Sequence, residues 1–398
     1  MSLDVAALRQ QFPSLASGLA HFDGPGGTQT PAVVADAIAR TLTAPLSNRG
    51  TLTPGERNAE AAIAAFRGAF ADLLGADPRG IVYGRSATQI AYDVSRTLAR
   101  DWQPGDEVVV SQLDHDSNVR PWIQAAERAG ATVRWLPLDA ATAELDLTSL
   151  DELVTERTRL VAITAASNLL GTRPPVARIA ARAHQVGALV YVDGVHATAH
   201  AAIDVASLGA DFFVCSPYKL YGPHCAALAA DPALLETLRF DKLLPATDEV
   251  PERFELGTLP YELMAGAAAA VDFIAGLGTG DTRRERLVSA NEAIDEHELR
   301  LRGRIEEGLA GFGERVTLHS IAADRTSTLF FTLADRDPFD VYRALAERDV
   351  VAPAGTFYAH EPFLALGLPV AAGVRVGLAP YNDDAEIDRL LTGLAEIL

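Results

Sequence analysis

Cysteine is scarce: the 398-residue chain has two, Cys215 and Cys225. Two thiols cannot build a disulfide framework, which excludes a small cross-linked secreted scaffold and points to a reducing compartment. Long apolar runs are missing as well. A membrane helix needs about 20 apolar residues in a row; the best stretch, AGAAAAVDFIAGLG (265–278), is shorter and carries Asp272. The N-terminus, MSLDVAALRQQFPSL, lacks the cationic start and apolar run of a signal peptide. Positive charge is in deficit, with 34 Lys and Arg against 53 Asp and Glu and a net charge of −19. That balance opposes nonspecific attraction to nucleic acid or anionic lipid, while leaving room for a local basic pocket. No internal repeat or low-complexity tract occurs. A cytoplasmic protein is expected, with no nucleic-acid or membrane partner.

What is present is ordinary globular composition, 48% hydrophobic and 22% charged, which excludes a disordered or fibrous chain. At about 150 residues per domain the length suggests two or three domains with a sizeable core. Short β-branched or aromatic segments recur: EVVVS (107–111), TVRWLPL (132–138), RLVAIT (159–164), ALVYVD (188–193) and DFFVCS (211–216). Helical stretches such as 117–130 and 176–187 separate them. Strands alternating with helices of this length require crossovers, hence an α/β fold with a mostly parallel central sheet covered by helices. Runs such as LVAIT are apolar throughout, as strands buried on both faces must be. GPGGTQTP (24–31) reads as a loop entering a helix near Ala32.

Past residue 280 the pattern changes. Residues 283–309 read as a long amphipathic helix rich in i,i+4 charge pairs. TSTLFFTLAD (326–335), a helix over 337–349, GVRVGLA (373–379) and a closing helix from about Asp383 follow. This suits a smaller α+β C-terminal domain on a partly antiparallel sheet. The expected division is an N-terminal segment over 1–20 packing with the small domain, a large domain over 21–280, and a small domain over 281–398.

Ligands of parallel sheets sit at the carboxyl ends of the strands. Polar residues ending apolar runs are therefore the candidates: His115 after EVVVSQLD, Asn168 after RLVAIT, Asp193 with His196 three residues on, and Ser216, Tyr218 and Lys219 after DFFVC. Singly, each has a plain explanation: an acid at a strand end caps a turn, and a lysine is usually on the surface. Together they place an acid, a lysine, two histidines and an asparagine at one edge of one sheet, which marks a site. Burial lowers a lysine's pKa and makes its amine a nucleophile able to form a Schiff base. Pyridoxal phosphate needs such a lysine and an acid to keep its ring nitrogen protonated. Lys219 and Asp193 suit those two roles.

Several ordered motifs carry a resemblance: SQLDHDSNVRPW (111–122), AASNLLGT (165–172), YVDGVHATAH (191–200) and CSPYKLYGP (215–223), flanked by HFDGPGGTQTP (21–31) and GVRVGLAPYNDDAEIDRLLTGL (373–394). Over nearly its whole length the chain resembles the class V aminotransferase family of fold-type I pyridoxal-phosphate enzymes, and within it the cysteine desulfurase-like branch. The resemblance implies that Lys219 holds the cofactor and moves the proton at the substrate α-carbon. It implies that Asp193 pairs with the ring nitrogen, that Asn168 and His196 lie at the phenolic oxygen, and that His115 lies against the ring. His196 stands where the desulfurases usually carry Gln. The phosphate is implied to rest on Ser86, Ala87 and Thr88, where a helix opens, on Ser216, and on Gly257 and Thr258 of a neighbouring subunit, making a homodimer. Tyr218 replaces the His of many relatives, and Arg375 matches the substrate-carboxylate clamp, for which a planar fork suits better than Lys. No metal is implied.

One part of the family pattern is missing. Cysteine desulfurases carry a persulfide-forming cysteine on a mobile loop before that Arg; the matching stretch VVAPAGTFYAHEP (350–362) has none, and Tyr358 falls near its place. The two cysteines flank Lys219 instead and read as small core hydrophobes. Three reactions on a small amino acid follow: C–S cleavage or another β-elimination without a loop-cysteine persulfide, favoured narrowly; transamination; or epimerisation, with Tyr358 or His115 as second proton carrier. A catalytically silent cofactor-binding partner is the alternative of another class, weakened because Lys219, Asp193 and Arg375 are all kept. His21, Asn48, Arg49, Tyr261 and the 353–363 loop are candidate substrate contacts. The substrate side chain and any sulfur-accepting partner stay open.

Overall fold

A computed structural model describes residues 3–368 and 373–398. Its larger sheet has seven strands: β1 (Ile81–Gly84), β2 (Glu107–Ser111), β3 (Thr132–Leu136), β4 (Thr158–Thr164), β5 (Leu189–Asp193), β6 (Phe212–Cys215) and β7 (Ala226–Ala230). They lie in the order β1-β7-β6-β5-β4-β2-β3, and only β7 runs against the others. Apolar residues fill these strands because both faces are covered. Val109 of β2 and Val161 and Ile163 of β4 enter one core; Val108, Val110, Leu160 and Ala162 enter the other.

The first core is closed by helices α1 (Pro54–Leu74), α4 (Val176–Gln185) and α5 (Tyr261–Ala275), through Phe66, Phe70, Ile179, Met264 and Val271. The second is closed by α2 (Ala87–Leu98) and α3 (Arg120–Ala129), through Ile90, Val94, Trp122 and Ala126. Helix α1 is bounded by local chemistry: Thr53 and Glu56 form a capping box, and Gly75 ends it at φ +65. A box of this kind contributes about 1 kcal/mol, and the left-handed end favours glycine.

The smaller sheet comprises β8 (Val316–Leu318), β9 (Thr328–Leu333), β10 (Ala354–Gly355) and β11 (Gly373–Gly377), in the order β8-β9-β11-β10. Helices α6 (Arg283–Ala310), α7 (Pro338–Ala346) and α8 (Asp384–Ile397) pack on it, with Leu301, Ile305, Leu345, Leu390 and Leu394 against Phe331, Val374 and Val376. Near the N-terminus, Phe12 meets Tyr221, Phe273 and Tyr381 edge-on, and Arg9 pairs with Glu386 at 2.9 Å.

The α/β architecture is as the sequence leads one to expect, with four departures. The smaller sheet is wholly antiparallel rather than partly so. The 132–138 segment is not one strand: Pro137 has no N–H for a ladder, β3 stops at Leu136, and Leu138–Asp139 pairs with Glu144–Leu145. Strands β1 and β7 escaped the reading, β7 because AALAA lacks β-branched residues. Helix α6 is not laced by i,i+4 pairs. Among the described residues Arg302–Glu306 is its one such pair; Arg283 reaches Asp72 and Asp272, and Arg300 and Arg304 reach Asp384. Its charges tie elements together instead of stiffening one helix.

Candidate active site

The parallel strands deliver their carboxyl ends to one edge. Ser86 follows β1, His115 follows β2, Asn168 follows β4, Asp193 ends β5, and Ser216–Lys219 follow β6. Six parallel strands give every such turn the same side of the sheet, which is why residues over 130 positions apart meet. Gly194 permits the turn after Asp193, since a Cβ there would lie 1.9 Å from the Phe213 ring.

Two adjoining cavities occupy this edge. The smaller, about 80 Å³, is lined by Ser86–Thr88, Asp193, His196, Ser216 and Lys219, with His115 and Asn168 among the rest. The larger, about 640 Å³, is lined by Asp23, Arg120, Tyr358 and Arg375 and shares His115, Asn168, Tyr218 and Lys219 with the first. Lys219 therefore stands where the two meet. It is 5% exposed; burial and then Arg375 lower its pKa to about 8, against Asp193 and Asp23, which raise it. At pH 7 about a tenth of the molecules then carry the neutral amine, far more than an ordinary lysine would.

Asp193 is buried and accepts the Val195 N–H at 2.9 Å. Burial raises its pKa, opposed by that N–H and by Lys219. His115 is pushed down to about 3 by burial and by Lys219 and Arg375, so its ring is neutral; Nδ1 lies 2.7 Å from Ser117 Oγ. Asn168 donates from Nδ2 to Phe357 O at 2.9 Å, while its Oδ1 has no partner. His196 is buried with Nε2 near Thr326 and Thr328, and its Nδ1 has no partner. Ser86 caps α2 by accepting the Gln89 N–H, leaving the opening turn of that helix facing the smaller cavity.

Arg375 lies in β11, 3% exposed. Its Nη2 donates to Asp23 Oδ1 at 2.6 Å, its Nη1 donates to Asn168 O at 3.1 Å, and the Phe357 ring lies 3.8 Å from the guanidinium carbon. The guanidinium is buried and its Asp23 partner half-buried; Nε has no partner, and Arg375 lines the larger cavity. The loop that bears Phe357 and Tyr358 is pinned to the large sheet. The Asp116 N–H donates to Tyr358 O at 2.8 Å, and Arg120 bridges Asp116 and Glu361. Tyr358 is 76% exposed at the mouth, its ring 5.5 Å from His115.

Not every sequence candidate gathers here. Thr258 lines another hollow, with Gly84, Gln89 and Phe254, and Gly257 beside it lies outside both site cavities. His21, Asn48, Arg49 and Tyr261 do not line the two cavities either; Arg49 is engaged by Glu60 and Glu252. Cys215 and Cys225 are buried in the core. Burial pushes both thiols up, Cys225 to about 12, so neither is poised as a thiolate. Sequence reasoning missed Asp23, whose pairing with Arg375 spans 352 positions; Phe357 lies within the candidate 353–363 loop, but its stacking on Arg375 was not foreseen. It also missed Asp114, fully buried beside Ser111 and 2.7 Å from Asn118 Nδ2 and pushed up to about 8. The signal was available there: an acid directly before His115 at the end of an apolar strand.

The residues lining these two adjoining cavities suit pyridoxal phosphate. They offer an amine of lowered pKa, a buried acid, unpartnered polar atoms on Asn168 and His196, and a helix N-terminus with Ser216 for a dianion. Comparison with known proteins agrees. The family model "Aminotransferase class-V" matches residues 20–390. A cysteine desulfurase of Dickeya dadantii is 33% identical over 98% of this chain and 96% of its own. The aminotransferase-like protein FGM3 of Gibberella zeae is 32% identical over 100% and 99%. The crystal structure of the cysteine desulfurase CsdA of Escherichia coli superposes with a TM-score of 0.88 at 28% identity, covering 100% of this chain and 98% of that one. The chain belongs to the class-V aminotransferase family, whose members are pyridoxal-phosphate enzymes, and pyridoxal phosphate is its cofactor.

Proposed function

We propose that this enzyme cleaves the C–S bond, or another bond to a β-leaving group, of a small amino acid by elimination, with no persulfide carried on the protein. The observation that carries the reading is the pairing of Lys219 and Arg375 on one cavity whose lining contains no cysteine. The thiols of this chain sit in the core with raised pKa values, out of reach of a leaving sulfur.

In this reading the cofactor, when bound, supplies an electron sink for the substrate α-carbon. The residues supply the rest. Lys219 Nζ, neutral near its pKa of about 8, holds the cofactor and takes the α-proton. Asp193 would lie at the ring nitrogen and keep it protonated. Asn168 and His196 would lie at the phenolic oxygen, and neutral His115 would cover the ring. Ser86, Ala87, Thr88 and Ser216 would hold the phosphate, with Tyr218 beside Lys219. Arg375 takes the substrate carboxylate; Asp23 and Phe357 already fix its plane, so little ordering remains when substrate binds. The departing group leaves through the mouth beneath Tyr358.

Gly257 and Thr258 fall outside this protomer's cavity, which supports a homodimer whose partner brings that segment to the phosphate. The two sheets are taken as the cores of a large domain over 21–280 and a small one over 281–398; residues 1–20, expected against the small one, touch both, Arg9 pairing with Glu386 and Phe12 meeting Tyr221 and Phe273 as well as Tyr381.

The test is a cysteine-free protein. Cys215→Ala with Cys225→Ala should keep turnover on L-cysteine within about twofold, measured as sulfide release at 25 °C, because the lost volume is two core sulfur atoms. Loss of turnover with the cofactor still bound would put sulfur chemistry on a cysteine and end the elimination reading.

A further inference from the structure

His196 poses a question of protonation. Its ring is fully enclosed, and Nε2 lies 3.1 Å from Thr326 Oγ1 and 3.0 Å from Thr328 Oγ1. Nδ1 has no partner and belongs to a ring that lines the smaller cavity. Thr328 opens β9 of the smaller sheet and Thr326 lies two residues before it, 132 and 130 residues further along the chain.

The hydroxyl protons decide between the two neutral forms. Thr326 Oγ1 already accepts the Thr328 N–H at 3.4 Å, and neither hydroxyl has another acceptor than His196 among the described residues. With the ring proton on Nε2, both buried hydroxyl protons would be left without an acceptor. With Nε2 bare, its single lone pair accepts from one hydroxyl or is shared by the two, and Nδ1 carries the proton. The ring stays neutral, since burial, His200, Lys219, Arg375 and Arg173 all disfavour its cation.

We infer that Thr326 and Thr328 are positioning residues that fix His196 in the Nδ1–H form, so that it donates to the phenolic oxygen of the bound cofactor. The inference rests on the placement of His196 at that oxygen in the reading above. Thr326 and Thr328 are thus second-hand contributors to the cofactor's electronics, supplied by the smaller sheet. The same segment is locked in place: Ser327 donates to Glu298 Oε2 at 2.7 Å, and Glu298 Oε2 is 2.7 Å from His200 Nδ1. Ring centroids of His196 and His200 are 4.7 Å apart.

A hydrogen bond to a phenolate lowers its basicity and thereby the pH midpoint of the cofactor's visible absorption band. The groups facing His196 that also bear on such a titration are Asp193 and His200 from the β5 side, Lys219 after β6, Arg173 after β4, Glu298 of α6 and Arg375 of β11. All are retained in the variants. The holoenzyme band is titrated spectroscopically in the parent, His196→Phe, His196→Gln, and the near-isosteric double variant Thr326→Val with Thr328→Val.

His196→Phe should raise the midpoint by about one pH unit, a tenfold shift that is about 1.4 kcal/mol. His196→Gln should restore it, and the double valine variant should move it most of the way to the phenylalanine value. A parallel nitrogen-15 spectrum of histidine-labelled holoenzyme, assigned by the glutamine variant, should show the proton on Nδ1. An unmoved midpoint in the double valine variant, with His196→Phe shifted, overturns the role of the threonines alone. An unmoved midpoint in His196→Phe overturns the placement of His196 as well. A proton found on Nε2 overturns the inference whatever the midpoints do.

Discussion

Lys219→Ala should lower turnover on any amino-acid substrate by on the order of 10⁴-fold, the upper range for removing a positioned acid–base group. Folding should survive, because alanine removes a buried amine whose desolvation is unfavourable and leaves the flanking turn intact. Lys219 stands where the two cavities join, so among the groups shared by both it brings the amine that can reach cofactor and substrate alike. Its environment also fixes a pH signature. The neutral amine is the nucleophile and the folded-state pKa is lowered to about 8. Cofactor uptake by cofactor-free protein should therefore accelerate as pH rises and level off above about 8, instead of rising toward the ordinary lysine value. Stopped-flow absorbance measures both effects. Turnover of Lys219→Ala within tenfold of the parent would remove the lysine from the reaction.

Asp193→Asn should keep the fold and bind the cofactor but lose about 10²–10³ in turnover, the scale for deleting one electrostatic contact to developing charge. Asparagine retains an oxygen for the Val195 N–H yet cannot hold a neighbouring ring nitrogen protonated. Stability should move the other way. Burial raises the Asp193 pKa in the folded protein, so its contribution to stability is fully present below the unfolded carboxylate pKa and is lost as pH rises through the folded one. In cofactor-free protein above neutrality, Asp193→Asn should unfold at an equal or higher temperature than the parent. Unchanged turnover, or a clear loss of stability, would each contradict the role of this carboxylate.

Much of this site is legible in the sequence. Apolar strands that end in Asp193, Ser216-Pro217-Tyr218-Lys219 and the Asn168 loop announce a ligand edge, because parallel sheets place every carboxyl end on one side. The supports of those residues were not legible. Arg375 meets Asp23 across 352 positions and His196 meets Thr328 across 132, and no local period encodes either contact. The charge density of α6 was visible, but its partners on α8 and α5 were not, so it read as internal pairing. Strand β7 was lost because its alanines show no β preference and packing alone makes it a strand.

The departure at Tyr358 shapes the chemistry most. The loop after α7 is tied to Asp116 and Arg120, carries Phe357 and Tyr358 at φ +54 and +55, and offers no thiol to a leaving sulfur. Under the elimination proposed above, hydrosulfide would then leave as such. L-Cysteine and water would give pyruvate, ammonia and sulfide, whereas capture of the sulfur by a thiol would give alanine and a persulfide.

The decisive measurement is therefore product analysis on purified, cofactor-loaded enzyme supplied with L-cysteine. Pyruvate and ammonia in equal amounts, with alanine absent, is the expected result; alanine formed in step with persulfide would contradict elimination and return a cysteine to the mechanism.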